Sequence, residues 1–486
     1  MCIRDSNTNT LPLLAAKYDI ANDAEGGAAP DGQLMWSPRL GFNYDFQNER
    51  AMVLRGGLGV FTSRIPFVWP GAMFNNNGVS IGGVDEDDIS GNINFIDDIQ
   101  NQYTNPNFTI PSGQVDLFTK DFKYPQIFRT NLGLDITLPY GIESNFEFIY
   151  TKTMNNVAYT NINNDPTVDF NWTGSPDNRA IYNRDEIDGQ YSGIYLASNT
   201  SEGYTYNISA EFRKRWNNGL NAFFAYSYGD AEALNEGTSS QNSSQWRGQI
   251  HVDSRNNPVV GRSDFAVGHR YVGSLSYSFN WGQSDIQKTT ISLFANGQSG
   301  NPFSYVIGGR NARNILNESG STSRNRTLIY IPRDATEINL VDIPGGLTAD
   351  QQWEDLNAVI EDDDFLSKNR GKYAKKNASW TPFVSIFDLA IRQDLGIQTA
   401  GQTHRIQLSL DITNVANLIN KDWGTVYLVP GDFNNYALYD FVGYEADGST
   451  PQFNYTDGAE TGKDRFDIDG FNSRWRMLVG IRYLFN

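Results

Sequence analysis

The chain has 486 residues, one cysteine (Cys2), and 38 Lys and Arg against 56 Asp and Glu, a formal net charge of −18. That balance argues against nucleic acid as a partner, since a polyanion is held by concentrated Lys and Arg. A single thiol permits no intrachain disulfide, and no run of about 18 apolar residues is present from which a transmembrane helix could form. The remaining composition is β-rich and turn-rich, with 25 Tyr, 29 Phe and 45 Gly. A mean hydropathy of −0.48 leaves a membrane open, because barrel strands hide their apolar half in alternation and long polar loops dilute it.

Residues 1–10, MCIRDSNTNT, lack the basic start and apolar core of a secretory signal. MCIRDS resembles a read-through scar, so residues 1–33 are read as a truncated loop or scar segment ahead of one folded region, 34–486. From there, alternating segments arrive in pairs. Residues 34–46 place Leu34, Trp36, Leu40, Phe42, Tyr44 and Phe46 on one face and Ser37, Arg39, Asn43 and Asp45 on the other, as successive side chains of a strand do. A short turn, 47–50, leads to 51–62. The next pairs are 126–138 with 142–152 through Pro139-Tyr140-Gly141, and 204–216 with 220–229 through Asn217-Asn218-Gly219, a hairpin signal. Then come 270–281 with 288–298, and 383–395 with 404–414. Residues 474–485, RWRMLVGIRYLF, stand alone. Trp475, Met477, Val479, Ile481, Tyr483 and Phe485 share one face, and Arg474, Arg476, Gly480 and Arg482 the other.

Segments of about 10–13 residues, at about 3.3 Å per residue and a tilt near 40°, span roughly 25–30 Å, the height of a bilayer's apolar band. Short turns join the members of each pair. Between pairs lie the long connections 63–125, 153–203, 230–269, 299–382 and 415–473. Five such loops are foreign to a compact soluble domain, whereas outer-membrane barrels have short periplasmic turns and long extracellular loops. The expected fold class is therefore all-β: an antiparallel transmembrane β-barrel portion of about 11 strands with long extracellular loops. A complete bacterial barrel has an even number of strands, so an odd number is expected upstream. With the roughly 22 strands of plugged transporters, the chain would be the C-terminal half of the barrel. The first and last strands then run the same way, and the sheet is expected to stay open, with unpaired backbone along 34–46 and 474–485.

Several stretches resemble the barrel region of TonB-dependent outer-membrane receptors, specifically the Oar-like branch. They are SPRLGFNYDF (37–46), LRGGLGVFTSRIPFVW (54–69), GHRYVGSLSYSFNW (268–281), FANGQSGNPFSYV (294–306), FDLAIRQDLG (387–396), DITNVANLINKDWG (411–424) and the terminal strand. The resemblance runs from about residue 34 to the end and lies in the order and spacing of these stretches. It implies the bacterial outer membrane and active ligand uptake energised through TonB. The implied partners are membrane lipid and lipopolysaccharide, the protein's own plug domain and TonB. The family's plug, TonB-contacting segment and N-terminal regulatory-like domain have no counterpart in these residues. The alternative is a surface structural or adhesion barrel without transport. A soluble all-β protein, with its apolar faces turned to a core, is the third reading.

No catalytic or metal site is expected. The three histidines, His251, His269 and His404, have no neighbouring Cys or His at ligand spacing. Neither a GxSxG nor a Cys–His arrangement is present, so the chain is read as no enzyme and as needing no cofactor. Gly57-Leu58-Gly59 lacks the third glycine and the helix of a dinucleotide site. The acidic runs 85–88 and 361–364 could hold Ca²⁺ through hard carboxylate oxygens, although solvated loops are the simpler reading. Asp467-Ile468-Asp469-Gly470 is a calcium-loop fragment without its distal Glu.

The polar strand faces carry Arg55, Arg129, Glu147, Arg213, Arg215, Arg392, Arg405, Asp411, Arg476 and Arg482. These are expected to face a lumen along the path of plug and ligand, or to pair with one another and with Asp135, Glu143, Glu211, Asp388 and Asp394. Trp36, Tyr204, Trp216, Tyr271, Phe279, Trp281, Trp475, Tyr483 and Phe485 are expected in the aromatic girdles at the lipid interfaces. The loop aromatics Phe67, Trp69, Phe74, Phe170, Trp172, Trp246, Trp353 and Trp380 would suit a peptide or glycan ligand.

Overall fold

The alternating segments become eleven strands in the computed structural model, which describes residues 16–17, 30–77, 98, 113–281, 286–320, 324–399 and 402–485. They are β1 (Arg39–Asp45), β2 (Met52–Thr62), β3 (Gln126–Leu138), β4 (Ile142–Asn161), β5 (Tyr204–Arg215) and β6 (Leu220–Ala233). β7 (Gly268–Asn280), β8 (Lys288–Gln298), β9 (Val384–Thr399), β10 (Gln402–Thr413) and β11 (Arg476–Phe485) complete the wall. Each pairs antiparallel with its predecessor, so the sheet follows chain order from β1 to β11. Among the described residues β1 and β11 do not pair with each other, and the sheet is open.

Two predicted strands, 126–138 and 288–298, are reproduced residue for residue. The others differ at their ends. The first shrinks to Arg39–Asp45 because Pro38 has no N–H for the ladder. The Trp36 carbonyl, just outside, instead accepts from the Gln126 side chain at 2.9 Å. The last strand starts at Arg476 rather than 474, since the Trp475 N–H turns to Asn417 Oδ1. β4 runs on past 152 to Asn161, where its far half pairs with Ile194–Thr200. The predicted turn 396–403 is shorter, because β9 and β10 extend to Thr399 and Gln402; residues 400–401, and 282–285 of the turn before it, lie outside the described residues. At the 217–219 turn, Gly219 adopts φ +89°, and a Cβ there would stand 2.1 Å from the Ser278 carbonyl oxygen. Only glycine satisfies both demands.

The register turns local alternation into two continuous surfaces. Gly56, Leu132, Phe148, Ile208 and Tyr228 form one cross-strand row. The neighbouring row on the opposite face is Arg55, Gly133, Glu147, Ser209 and Ser227. Apolar side chains on the first face are exposed, Val479 at 73% and Ile481 at 75%. A wall whose oily side faces outward has no aqueous explanation, since each buried large aliphatic side chain is worth about 1.5–3 kcal/mol in water.

The long connections are not loops in the ordinary sense. Pro302–Gly308 pairs in parallel with Asn435–Tyr444, flanked by Ser379–Trp380 and Pro451–Asn454, in a four-stranded sheet. A helix, Ala349–Asp362, starts at a capping box of Thr348 and Gln351. The second, third, fourth and fifth connections share one core, with Trp172, Ile250, Tyr305, Leu356, Val359 and Phe453 among its members. A smaller core joins Trp69 and Met73 of the first connection to Tyr159, Tyr195 and Trp246.

Candidate functional site

All ten residues expected to face a lumen lie on the polar face. Arg55 donates to Asp135 at 3.0 Å and to Glu147 at 2.8 Å. To reach Glu147, two strands away, its guanidinium crosses Gly133, where a Cβ would sit 2.8 Å from Cζ. Arg129 donates to Thr151 at 3.0 Å. Arg213 pairs with Glu211 at 3.1 Å and covers Phe223 at 5.5 Å. Arg392 pairs with Asp411 at 2.6 Å, while Arg405 is only 3.9 Å from Asp394. Arg476 covers Phe471 at 4.5 Å. Arg215 and Arg482 have no ion pair among the described residues. The structure therefore brings most of this set into lateral pairs. Apart from the buried Asp394, the paired groups are partly solvated, and each such pair is worth about 0.2–1 kcal/mol.

The girdle residues Trp36, Tyr204, Trp216, Tyr271, Phe279, Trp281, Trp475 and Tyr483 all share the parity of the apolar face; the Phe485 side chain lies outside the described residues. They separate into two rims. Trp36, Tyr204, Tyr271 and Trp475 stand at the long-connection end, and Trp216, Phe279, Trp281 and Tyr483 at the short-turn end. At the first rim Tyr150, Tyr204, Tyr206, Tyr228 and His269 form a chain of ring contacts between 4.6 and 6.5 Å. His269 Nδ1 is 2.6 Å from the Tyr226 hydroxyl, and at the other rim His404 Nδ1 is 2.6 Å from the Tyr483 hydroxyl. These two histidines are thus members of the aromatic rims. The third, His251, is buried: its Nδ1 donates to the Gln249 carbonyl at 2.9 Å, and its Nε2 accepts from Thr327 at 3.0 Å. Burial, and then the nearby Arg255 charge, hold its pKa well below the ordinary value.

The expectation that the loop aromatics await a ligand is overturned. Of the aromatics offered as ligand contacts, Trp69, Trp172 and Trp246 are buried, and Phe170 and Trp353 pack against the main core. Trp380 lies under Arg262 at 5.0 Å. Only Phe67 and Phe74 stay exposed, because segments this long and aromatic gain more by collapsing on one another than by waiting for a ligand. The acidic run 361–364, read most simply as a solvated loop, instead joins two helices with Asp363 buried, and its carboxylates take separate partners. Asp363 accepts from the backbone N–H groups of Phe365 and Leu366 at 2.9 Å, capping the helix Asp364–Lys368. It also accepts from Tyr305 at 2.6 Å and Arg465 at 2.8 Å. Asp364 pairs with Lys368 at 2.8 Å, and Asp362 takes the Gly462 N–H at 2.6 Å. Asp469 closes a turn onto Phe471 and Asn472. The run 85–88 lies outside the described residues.

Sealed ion pairs lock the connections together. Arg255 meets Glu318 at 2.7 Å, Arg179 meets Asp177 at 2.7 Å, Arg465 meets Asp363 at 2.8 Å and Lys376 meets Glu236 at 3.0 Å. Every one of these side chains is buried or nearly so. Three of the pairs tie the fourth connection to the third or fifth. In the Arg179 pair, Asp177 accepts from Tyr373 of the fourth connection at 3.0 Å.

Between the third, fourth and fifth connections lies a cleft of 480 Å³. Its walls include Phe433, Phe265, Arg324, Arg326, Lys376 and Asn377, with amide and hydroxyl side chains between them. Phe433 (φ +59°, ψ +39°) and Asn434 (φ +56°) are consecutive non-glycine residues in the left-handed region, a strain of about 1–3 kcal/mol each. The Arg324 guanidinium lies 3.8 Å from the Phe433 ring centroid and that of Arg326 5.1 Å. Burial raises the pKa of the Asp264 carboxyl, against the hydrogen bond from Asn377 that favours its charged form; the charge of Glu236 raises it further. The cleft leaves only a faint mark in the sequence. The signal was the turn-rich stretch Pro430-Gly431-Asp432-Phe433-Asn434-Asn435, an aromatic among residues that favour turns.

A family model described as outer membrane beta barrel domain matches residues 5–422. No curated protein matches the chain. Among solved structures, the outer membrane transporter YddB from Escherichia coli is 9% identical with a TM-score of 0.38, over 89% of this chain and 38% of that one. A mutant of the ferric enterobactin receptor PfeA from Pseudomonas aeruginosa, in complex with enterobactin, is 12% identical with a TM-score of 0.31, over 87% and 47%. The chain spans less than half the length of either protein.

Proposed function

The chain belongs to the outer membrane beta-barrel domain family, and from that premise we propose that it forms wall and outer loops of a TonB-dependent receptor, of the Oar-like branch, that takes up a ligand across the membrane. It resides in the bacterial outer membrane. The observation that carries the proposal is the division of one sheet into an unbroken apolar face, rimmed by aromatics at both ends, and a charged face behind it. Lipid suits the first and a polar interior the second. The folded connections at one end supply a preformed outer surface, as a binding site requires.

In this reading Arg55, Arg129, Glu147, Arg213, Arg215, Arg392, Arg405, Asp411, Arg476 and Arg482 line the interior and contact a plug domain. Lipid and lipopolysaccharide surround the wall. The wall does no covalent chemistry: ligand binds the connections, the plug moves through its coupling to TonB, and the ligand passes along the polar face.

Cysteine labelling tests the topology. In a Cys2→Ser background, Glu460→Cys should react with a membrane-impermeant maleimide on intact cells, and Asn218→Cys only after the outer membrane is opened. The reverse order would refute the orientation. Transport is tested separately. Cells lacking TonB should retain ligand binding at the surface and lose accumulation; equal accumulation with and without TonB would refute energised uptake, and binding with no accumulation in either strain would favour a structural or adhesion barrel.

A further inference from the structure

We propose that the cleft between the third, fourth and fifth connections binds a neutral, hydroxyl-rich saccharide, with Phe433 as the platform on which a sugar ring stacks. The inference rests on the receptor reading and names the ligand class for it.

Phe433 is the first support. Its neighbours in sequence, Tyr436 and Leu438, are buried in the main core, yet Phe433 is 53% exposed. The strained turn that presents it gains no core burial in return, and strain of this kind concentrates where a group must be held for a partner. Arg324 and Arg326 both meet its ring, at 3.8 and 5.1 Å from the centroid, and half of the side chain remains open. A second exposed ring, Phe265, stands on the same cleft, 67% exposed. The C–H face of a pyranose is apolar and nearly flat, and it matches an open aromatic face.

The remaining wall is the second support. Asn235 and Asn434 are planar amides that donate and accept together, and Thr238 and Ser239 add hydroxyls. Vicinal sugar hydroxyls offer the same paired donor and acceptor pattern. The charges of the wall are engaged within it: Lys376 is held by Glu236 at 3.0 Å, Asp264 takes Asn377 at 2.6 Å, and the Arg324 and Arg326 guanidiniums lie 3.8 and 5.1 Å from the Phe433 ring centroid. The apolar side chains of its wall are Leu234, Ile250 and the two rings. The volume, 480 Å³, falls among small-molecule sites of roughly 300–1,000 Å³.

The test is calorimetric titration of the full chain in detergent with cellohexaose, maltohexaose, mannohexaose and xylohexaose, with hexagalacturonate and a mixed hexapeptide pool as controls. At least one neutral hexasaccharide should bind. Phe433→Ala should weaken it by about tenfold or more, the scale of a lost aromatic contact, while Phe433→Trp keeps the affinity. Thr238→Ala, which removes an exposed hydroxyl of the wall and leaves the turn untouched, should weaken it as well, so a Phe433→Ala chain that fails to fold does not end the test. Binding by none of the four neutral sugars, by hexagalacturonate or peptides alone, or undiminished by both alanine variants would overturn the inference. Maleimide labelling at Glu460→Cys reads the membrane topology independently, so failure of the saccharide assignment and failure of the receptor reading are distinguishable.

Discussion

The wall and the folded connections treat the same residue types in opposite ways. In the wall, Leu40, Phe42, Leu58, Val479 and Ile481 point outward and exposed, while Arg55, Arg213 and Arg392 hold carboxylates in half-solvated pairs. In the connections, Trp172, Trp246 and Tyr305 are sealed inside, and Arg179 and Arg255 are buried with their carboxylates. The difference lies in the medium. Lipid is as apolar as leucine, so the wall gains nothing by hiding its aliphatic side chains and is held by its backbone ladder. The connections meet water, and must build a core of their own to stay ordered. An aromatic at strand parity is thus a lipid contact, and an aromatic in a long connection is first a core residue.

The largest expected effect falls in the connections. Arg255→Ala would leave Glu318 buried without its partner, a loss of about 3–5 kcal/mol. Hydrogen exchange should accelerate in the third and fourth connections while β3 and β8 stay protected; equal acceleration in the wall would show that the two regions melt as one and erase the contrast. Next is Val479→Arg, which puts a cation on the lipid face at a cost of about 2–4 kcal/mol near the midplane. Urea titration of the chain refolded in liposomes would measure it, and an unchanged midpoint would place Val479 away from lipid.

Acidification should produce a third effect, confined to the connections. The pKa of His251 is held well below the ordinary value, mainly by burial, so in the folded state it stays neutral while the unfolded chain takes up a proton below about pH 6.5. Its contribution is therefore present above that pH and is lost as pH falls. Protection around residues 324–331, to which His251 is bonded, should decline on acidification. His251→Gln should flatten that decline, and a decline of the same size in the variant would assign it to other groups. The smallest effect should be that of Arg55→Ala, about 0.2–1 kcal/mol, because its carboxylate partners remain partly solvated. Gly133→Ala should resemble it, as the new methyl displaces the guanidinium from its crossing; a loss of several kcal/mol from either would mean that the polar face is sealed rather than wet.

The strands could be read because alternation is a local property with a period of two, so it survives whatever the rest of the chain does. Their ends were less legible. Whether Trp475 enters the ladder depends on Asn417, 58 residues earlier, and whether β4 stops at 152 or continues to Asn161 depends on Ile194–Thr200. Local spacing says nothing of partners so far away. The charged face was legible as a set, since parity assigns it, but the pairs within it were not. Arg55 reaches Glu147 only because register places Gly133 between them.

The connections mark the boundary between the two kinds of information. Composition and length revealed that they were long and aromatic, and by themselves suggested ligand contacts. Which rings are core and which are open was decided by packing among segments hundreds of residues apart: Trp172 stacks on Phe441 at 6.1 Å and donates to Tyr444 at 3.1 Å, while Phe433, in the same connection as both partners, stays on the cleft. The sequence by itself determined that one side chain in two along the wall is apolar, because alternation is local; that this face is turned outward, with Val479 and Ile481 exposed, and not into a core was decided by the tertiary structure. Tertiary structure alone decided where a ligand could rest, because a cleft is a relation among connections that share no local pattern.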